Sequence, residues 1–122
     1  MTSKILIVED EVLVALDLSM QLEDEGYECL GPARTPEEAL AILDQDDPDF
    51  AVLDVNLDGT TSIEVARRLS DMDLPFVYVS GYGDRGVIED MPAAPLVQKP
   101  LRFDLLSSMI SATLAPETPS NR

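Results

Sequence analysis

The feature that most constrains the fold is an alternation of short apolar runs with segments that carry apolar residues at helical spacing. The clearest run is Lys4-Ile5-Leu6-Ile7-Val8, which is short, β-branched and apolar on both faces. Strands of this kind occur almost only in parallel sheets that are covered by helices. Because the alternation repeats five times, the sequence predicts an α/β fold: a doubly wound, five-stranded parallel sheet with five flanking helices.

Turn and capping residues set the expected boundaries of these elements. The runs that predict strands lie at 4–8, 27–30, 50–53, 75–79 and 95–98. The segments that predict helices begin near residues 12, 36, 63, 84 and 103. The second helix has the strongest start, because Thr35 is a good N-cap and Pro36 suits the first helical position. The segment 84–91 is the weakest candidate, since it contains Gly86.

Length and composition indicate one domain. The chain has 122 residues, of which 45% are hydrophobic, enough for a core that needs no disulfide or metal. We assign the domain to residues 1–115 and expect 116–122 to be a short flexible tail. The single cysteine excludes an internal disulfide framework, and the absence of histidine excludes His-ligated metals and His-based catalytic triads.

The charge balance excludes two classes of partner. Acidic residues number 24 against 8 basic ones, for a formal net charge of −16. Such a surface repels nucleic acid and anionic lipid, so neither is an expected partner. The first strand begins at Lys4 and leaves no room for a signal peptide, and no apolar stretch approaches the ~20 residues of a membrane span. We therefore expect a soluble, cytoplasmic protein.

Polar and charged residues follow four of the predicted strands. Ligands of open α/β sheets bind beyond the carboxyl ends of the strands. The residues expected there are Glu9, Asp10, Glu11, Asp54, Ser80, Gly81 and Lys99. Any one of them alone is a weak signal, because loops after strands are usually polar. Acid, acid, hydroxyl and lysine after four strands form a much more specific pattern.

The chemistry of this set predicts a magnesium and phosphoryl site. Two carboxylates about 4 Å apart repel by roughly 4 kcal/mol at an effective dielectric of 20, so a cation must compensate them. Oxygen-only ligands select a hard ion such as Mg²⁺. An aspartate can attack phosphorus to form an acyl phosphate, while Lys99 and Ser80 stabilise the phosphoryl oxygens and Gly81 leaves the approach open.

Four segments carry a resemblance to a known family. They are Val8-Glu9-Asp10-Glu11, Leu53-Asp54-Val55-Asn56, Val79-Ser80-Gly81 and Gln98-Lys99-Pro100. With them the chain, from Lys4 to about Ala115, closely resembles the receiver domain of two-component response regulators. The resemblance implies the flavodoxin-like, CheY-like strand order 2-1-3-4-5. It also implies a phosphoacceptor that changes its affinity for a downstream protein or acts as a phosphate sink, with no enzymatic activity beyond self-phosphorylation and self-dephosphorylation.

The resemblance further implies a role for each site residue. Asp54 would accept a phosphoryl group from a histidine kinase or a histidine phosphotransfer protein. Asp10 and Asp54 would hold Mg²⁺ through their side chains, Asn56 through its backbone carbonyl and Glu9 through water. Ser80 would be the switch hydroxyl and Lys99 the cation that faces the phosphate. The Lys99-Pro100 peptide would be cis.

Departures from the family pattern affect the expected switch. Leu96 replaces the aromatic residue that many receivers carry three positions before the lysine, and Leu57-Asp58-Gly59 replaces the usual Met-Pro. The segment from Tyr78 to Gly83 resembles the subfamily named for a Phe-Ala-Thr-Gly-type signature. Our hypothesis is that Tyr82 takes part in the switch, because Leu96 supplies no ring. The hypothesis would be contradicted if phosphorylation changed NMR chemical shifts elsewhere but left those of residues 80–90 unchanged.

Other functions are open on the sequence alone. A haloacid-dehalogenase-type phosphatase also uses an aspartyl phosphate, but it has a second acid where this chain has Asn56. A flavodoxin-like cofactor binder needs a phosphate cradle where Glu9-Asp10-Glu11 would repel phosphate. A degenerate receiver would not need the complete acid–hydroxyl–lysine set. The chain also fits a receiver excised from a larger regulator or hybrid kinase.

Overall fold

The computed structural model describes residues 2–81 and 84–114, and it has the expected α/β architecture. Its strands are β1 (Lys4–Val8), β2 (Glu28–Ala33), β3 (Phe50–Asp54), β4 (Asn56–Leu57), β5 (Thr60–Thr61), β6 (Phe76–Ser80) and β7 (Leu96–Gln98). Its helices are α1 (Val12–Asp24), α2 (Pro36–Gln45), α3 (Ile63–Asp71), α4 (Arg85–Ile88) and α5 (Phe103–Leu114). The main sheet is parallel, with strand order β2-β1-β3-β6-β7. This is the predicted order 2-1-3-4-5 once β4 and β5 are set aside.

The sheet separates two apolar cores, and β1 contributes to both. Leu6 and Val8 pack with residues of α2 and α3 on one face. Ile5 and Ile7 pack with residues of α1 and α5 on the other. All four side chains are at most 1% exposed, which confirms that the first apolar run is a strand buried on both faces.

Three elements differ from the sequence-based expectation. β2 extends to Ala33 instead of ending near Leu30, because its pairing with β1 continues through a register shift. Helix α4 is a single turn, as the glycine in that segment favours. In α1, the residues at helical spacing do not all face the core: Ala15 is buried, whereas Leu16 is 53% exposed.

The segment after β3 is an antiparallel hairpin, which is not among the strands that the sequence predicts. β4 pairs with β5 through Asp58 and Gly59, which have φ values of 51° and 93°. Two consecutive positive φ values are typical of a type I′ turn, for which Asp-Gly is a preferred sequence. The Ser62 amide then donates to the Val55 carbonyl at 3.1 Å, which joins the start of α3 to the end of β3.

The cap of α2 is confirmed. The Glu38 amide donates to Thr35 Oγ1 at 3.1 Å, and Pro36 begins the helix. The expected tail at 116–122 lies outside the described residues. Within the described part of the chain, every helix is too short or too polar to cross a membrane.

Candidate functional site

The parallel register brings the polar residues to one edge of the sheet. Asp54 ends β3 and pairs with Val79 of β6, and Ser80 pairs with Gln98 of β7. The Lys99 amide donates to the Ser80 carbonyl at 2.8 Å. Glu9 directly follows β1, which lies beside β3. The sheet therefore gathers at its carboxyl edge the residues that the sequence places after four separate strands.

Three carboxyl groups converge at this edge. One carboxylate oxygen from each of Glu9, Asp10 and Asp54 lies within 4.8 Å of the others. Glu9 and Asp54 are 4% and 3% exposed, whereas Asp10 is partly exposed. The structure thus brings together the three acids that the sequence predicts as a cluster, with two of them largely removed from water.

Lys99 is the cation of the cluster. Its Nζ donates to Asp54 Oδ2 at 3.0 Å and lies 3.9 Å from Glu9 Oε1. It also lies 3.6 Å from Glu11 Oε1, a contact that our residue assignments missed although Glu11 belongs to the acidic run after β1. The Lys99-Pro100 peptide is cis, as the resemblance implied. One ammonium group therefore contacts three carboxylates, which is too little positive charge to balance them.

Burial shifts the ionisation of Glu9 and Asp54. Burial raises the pKa of Glu9 to about 8; the Glu11 amide opposes this shift, and the neighbouring Asp54 charge reinforces it. Burial also raises the pKa of Asp54, against the opposing effect of Lys99. Burial lowers the pKa of Lys99, but its hydrogen bond to Asp54 and the surrounding carboxylates more than offset this, and the net shift is upward.

The donor set suits a hard divalent cation. Glu9, Asp10 and Asp54 provide only oxygen ligands, and Lys99 is the one cation in contact with this cluster among the described residues. Small, hard ions such as Mg²⁺ bind through one or two carboxylates and retain several waters. The partly exposed Asp10 leaves one side of this cluster open to solvent. The residues therefore fit Mg²⁺.

The remaining predicted residues lie around this cluster. The Asn56 amide donates to Asp54 Oδ1 at 3.4 Å, which places residue 56 directly beside the cluster. Ser80 is 5% exposed, and its Oγ donates to the Gly81 carbonyl at 3.2 Å. A Cβ at Gly81 would lie 4.0 Å from Lys99 Cδ, so Gly81 borders the lysine side chain. Tyr82 lies outside the described residues, and its role as a switch stays a prediction.

A contact at Gly81 was not anticipated from the sequence. The Gly81 amide donates to Asp84 Oδ2 at 2.8 Å. Asp84 stands at the N-cap of α4 but makes no side-chain cap bond to that helix. Sequence spacing would have suggested an ordinary cap, because Asp is a preferred N-cap residue. The carboxylate instead ties the end of β6 to the start of α4.

Comparison with known proteins agrees with this geometry. Residues 5–111 match the response regulator receiver domain family. The chain is 32% identical over 118 residues to the phyllosphere-induced regulator PhyR of Methylorubrum extorquens. It is 31% identical over 111 residues to the transcriptional regulatory protein PdtaR of Mycobacterium tuberculosis. These alignments cover 93% and 87% of this chain but only 44% and 54% of the two relatives.

A solved structure matches over nearly its full length. The solution structure of SdrG from Sphingomonas melonis superposes with a TM-score of 0.78 at 38% identity, covering 93% of this chain and 97% of SdrG. By contrast, the chain spans about half the length of the curated relatives named above. The family match over residues 5–111, together with the acids and the lysine at the carboxyl edge of a 2-1-3-4-5 sheet, leads to one conclusion. The chain belongs to the response regulator receiver domain family of two-component systems.

Proposed function

We propose that Asp54 is the phosphoacceptor of this receiver domain. The observation that supports it is the position of Asp54: it lies at the carboxyl end of a central strand, buried, and hydrogen-bonded to Lys99 at 3.0 Å. Its carboxylate has acidic neighbours that fit a divalent cation, and the Lys99 ammonium group contacts it directly. A carboxylate in this setting is suited to nucleophilic attack on phosphorus.

The proposed magnesium site consists of Asp10 and Asp54 through their carboxylates, the backbone carbonyl of Asn56, and Glu9 through water. Bound Mg²⁺ would supply positive charge that offsets the phosphoryl oxygens. Two side chains of this chain would also contact the phosphoryl oxygens. Lys99 would hold an oxygen of the transferred group, and the Ser80 hydroxyl would turn from the Gly81 carbonyl to donate to another.

The transfer itself is a substitution at phosphorus. A histidine kinase or a histidine phosphotransfer protein is the proposed donor. An Asp54 carboxylate oxygen forms the new P–O bond, and the bond from phosphorus to the donor's imidazole nitrogen breaks. The bonding electron pair stays on that nitrogen, which is then free to take up a proton. Attack by water on the resulting acyl phosphate would return Asp54 to its carboxylate form.

The output of the site is a change in affinity for a protein partner, or simply the removal of phosphate from a kinase. The phosphoryl group carries about two negative charges where the Asp54 carboxylate carried one, and a charge change of this kind can reorder a neighbouring loop. One solved relative is described as an anti-anti-sigma factor and another relative as a transcriptional regulator. Regulation through a downstream protein is therefore our proposal for this chain, whether it acts alone or within a longer regulator, and in the cytoplasm.

The haloacid-dehalogenase-type alternative predicts a different result. Such a phosphatase would turn over phosphomonoesters with the help of an acid two residues after the nucleophile. Here that residue is Asn56, which is exposed and has no acidic group. We expect no turnover of phosphomonoesters, and catalytic release of phosphate from them would favour the phosphatase over the phosphoacceptor.

Intact mass spectrometry after incubation with acetyl phosphate and Mg²⁺ tests the proposal. The wild-type protein should gain the mass of one phosphoryl group, and Asp54→Asn should gain none. Asp58→Asn is the matched control, because asparagine also tolerates the positive φ of that turn position. Phosphorylation of Asp54→Asn to the wild-type level would overturn the assignment.

A further inference from the structure

Arg34 is held at the margin of the proposed phosphoryl site. It follows β2, and the preceding residue, Ala33, accepts a 2.9 Å hydrogen bond from the Glu9 amide. The Arg34 amide itself donates to Glu38 Oε1 at 2.8 Å. The backbone of Glu38 is held in turn, because its amide donates a hydrogen bond to Thr35 Oγ1. The backbone of Arg34 is therefore anchored next to the acidic cluster by bonds that do not involve its guanidinium.

Two pockets that border the cluster share Arg34. A pocket of about 210 Å³ is lined by Glu9, Val12, Pro32 and Arg34, among others. A second, of about 280 Å³, has Asp10, Asp58 and Arg34 among its lining residues. The two pockets thus approach the cluster from Glu9 and from Asp10, and Arg34 lies on the wall of each.

The guanidinium of Arg34 has no ion-pair partner among residues 2–81 and 84–114. Within the same ranges, Lys4 and Arg68 each pair with an aspartate on α2 or at its end, and Lys99 pairs with the site acids. Arg34 is exposed, and its neighbour Glu38 is already used by a backbone amide. Its positive charge is therefore available to a ligand in solution.

The negative charge of the whole protein makes the position of the Arg34 guanidinium important for anionic ligands. At a formal net charge of −16, the protein repels any anion that approaches it. A phosphoryl donor carries about two negative charges and must approach a cluster of carboxylates. The side chain of Lys99, the cation inside this cluster, is only 28% exposed. An exposed cation at the rim lowers that barrier without adding a bond to the reacting atoms.

We propose that Arg34 is a positioning residue that draws anionic phosphoryl donors to Asp54. This inference rests on the proposed function, and it adds a residue outside the set that the family resemblance supplies. It makes two predictions of opposite sign. Removal of the Arg34 charge slows phosphorylation by an anionic donor, and it tightens Mg²⁺ binding, because the same charge repels the cation.

The test compares Arg34→Gln with Arg67→Gln. Arg67 is an exposed arginine on α3 that lines neither pocket and has no ion pair within the described ranges, so it controls for the loss of one positive charge. Phosphorylation rates are measured with acetyl phosphate and with phosphoramidate at low and high ionic strength. Mg²⁺ affinity is measured separately by calorimetry. Arg34→Lys, which keeps the charge, completes the set.

We expect Arg34→Gln to lower the phosphorylation rate about two- to fivefold at low ionic strength, with the difference shrinking as salt screens it. Its Mg²⁺ dissociation constant should fall by a similar factor. Arg34→Lys and Arg67→Gln should stay near wild type in both measurements. The substitution does not remove the hydrogen bond from the residue 34 backbone amide to Glu38, because glutamine keeps the same backbone N–H.

Three results would overturn the proposal. Arg34→Gln and Arg67→Gln could behave alike, the effect could be insensitive to salt, or Arg34→Gln could weaken both Mg²⁺ binding and phosphorylation, as a structural defect would. If the wild-type protein accepts no phosphoryl group, the proposed function fails together with this inference. If the wild type is phosphorylated normally and Arg34→Gln matches it, only the role of Arg34 fails.

Discussion

The buried pair of Glu9 and Asp54 dominates the site at the scale of single residues. Both are nearly inaccessible to water, and Lys99 contacts both. The sequence was sufficient to predict this grouping, because parallel strands end at a common edge and each residue follows a strand. It was not sufficient to predict that Ser80 donates to the Gly81 carbonyl or that Asp84 accepts from the Gly81 amide. Those contacts depend on loop and rotamer geometry that residue spacing does not encode.

The raised pKa of Glu9 predicts how the stability of the metal-free protein changes with pH. A folded-state pKa of about 8, above the ordinary value of 4.5, means that the folded protein binds the extra proton between these limits. The contribution of the protonated Glu9 to the free energy of unfolding is fully present below pH 4.5 and is lost as pH rises through 8. The chain has no histidine to add a competing titration between pH 6 and 8.

Glu9→Gln should therefore raise the free energy of unfolding of the metal-free protein at pH 8, by at least about 1 kcal/mol. The gain should be much smaller at pH 5. Urea denaturation in the presence of a chelator measures both values. Glu23→Gln, on the exposed side of α1, is the matched control and should change stability by a few tenths of a kcal/mol. A destabilised Glu9→Gln at pH 8 would contradict the charge balance described here.

At the scale of elements, prediction succeeded where hydrophobic patterning and capping agree. Helix α5 begins at its predicted residue, Phe103, and α2 begins at its predicted cap. The hairpin of β4 and β5 escaped prediction, because two-residue strands are too short for a periodic signal. The Asp58-Gly59 pair was its one available indication, since this dipeptide favours a type I′ turn.

Substituting alanine for glycine separates backbone conformation from packing. An added Cβ meets nothing within 4 Å at Gly59 or at Gly86, but only Gly59 has a positive φ, of 93°. Gly59→Ala should therefore lower the free energy of unfolding by about 1 kcal/mol, whereas Gly86→Ala, in α4, should be neutral or stabilising by up to about 1 kcal/mol. Chemical denaturation of the two variants measures the difference. Equal effects at both positions would contradict the turn assignment.

At the scale of the whole molecule, the excess of acidic groups governs how ions act on the protein. At a formal charge of −16 on 122 residues, the acidic side chains of the folded protein repel one another, which lowers its stability. Any salt screens part of that repulsion. Composition alone predicts this general effect. The specific effect of a divalent ion depends on the convergence of Glu9, Asp10 and Asp54, which only the fold creates.

Mg²⁺ should therefore stabilise the protein more than NaCl does at the same ionic strength. At ten times its dissociation constant, a ligand that binds only the folded state adds about 1.4 kcal/mol. Differential scanning calorimetry should show a higher Tm in MgCl₂ for the wild type. Asp10→Asn should remove most of that excess, and Asp17→Asn, on the exposed surface of α1, should retain it. An equal excess in both variants would place the ion elsewhere.

Borohydride reduction tests the central claim most directly, because it reports both the chemistry and the position of the modification. The reagent converts an acyl phosphate on aspartate into the alcohol homoserine and leaves free carboxylates unchanged. After phosphorylation with acetyl phosphate and Mg²⁺, followed by reduction and peptide sequencing by mass spectrometry, we predict homoserine at position 54 and at no other aspartate. A phosphorylated protein that yields no homoserine at position 54, or that carries its phosphate on a serine or threonine, would contradict the account.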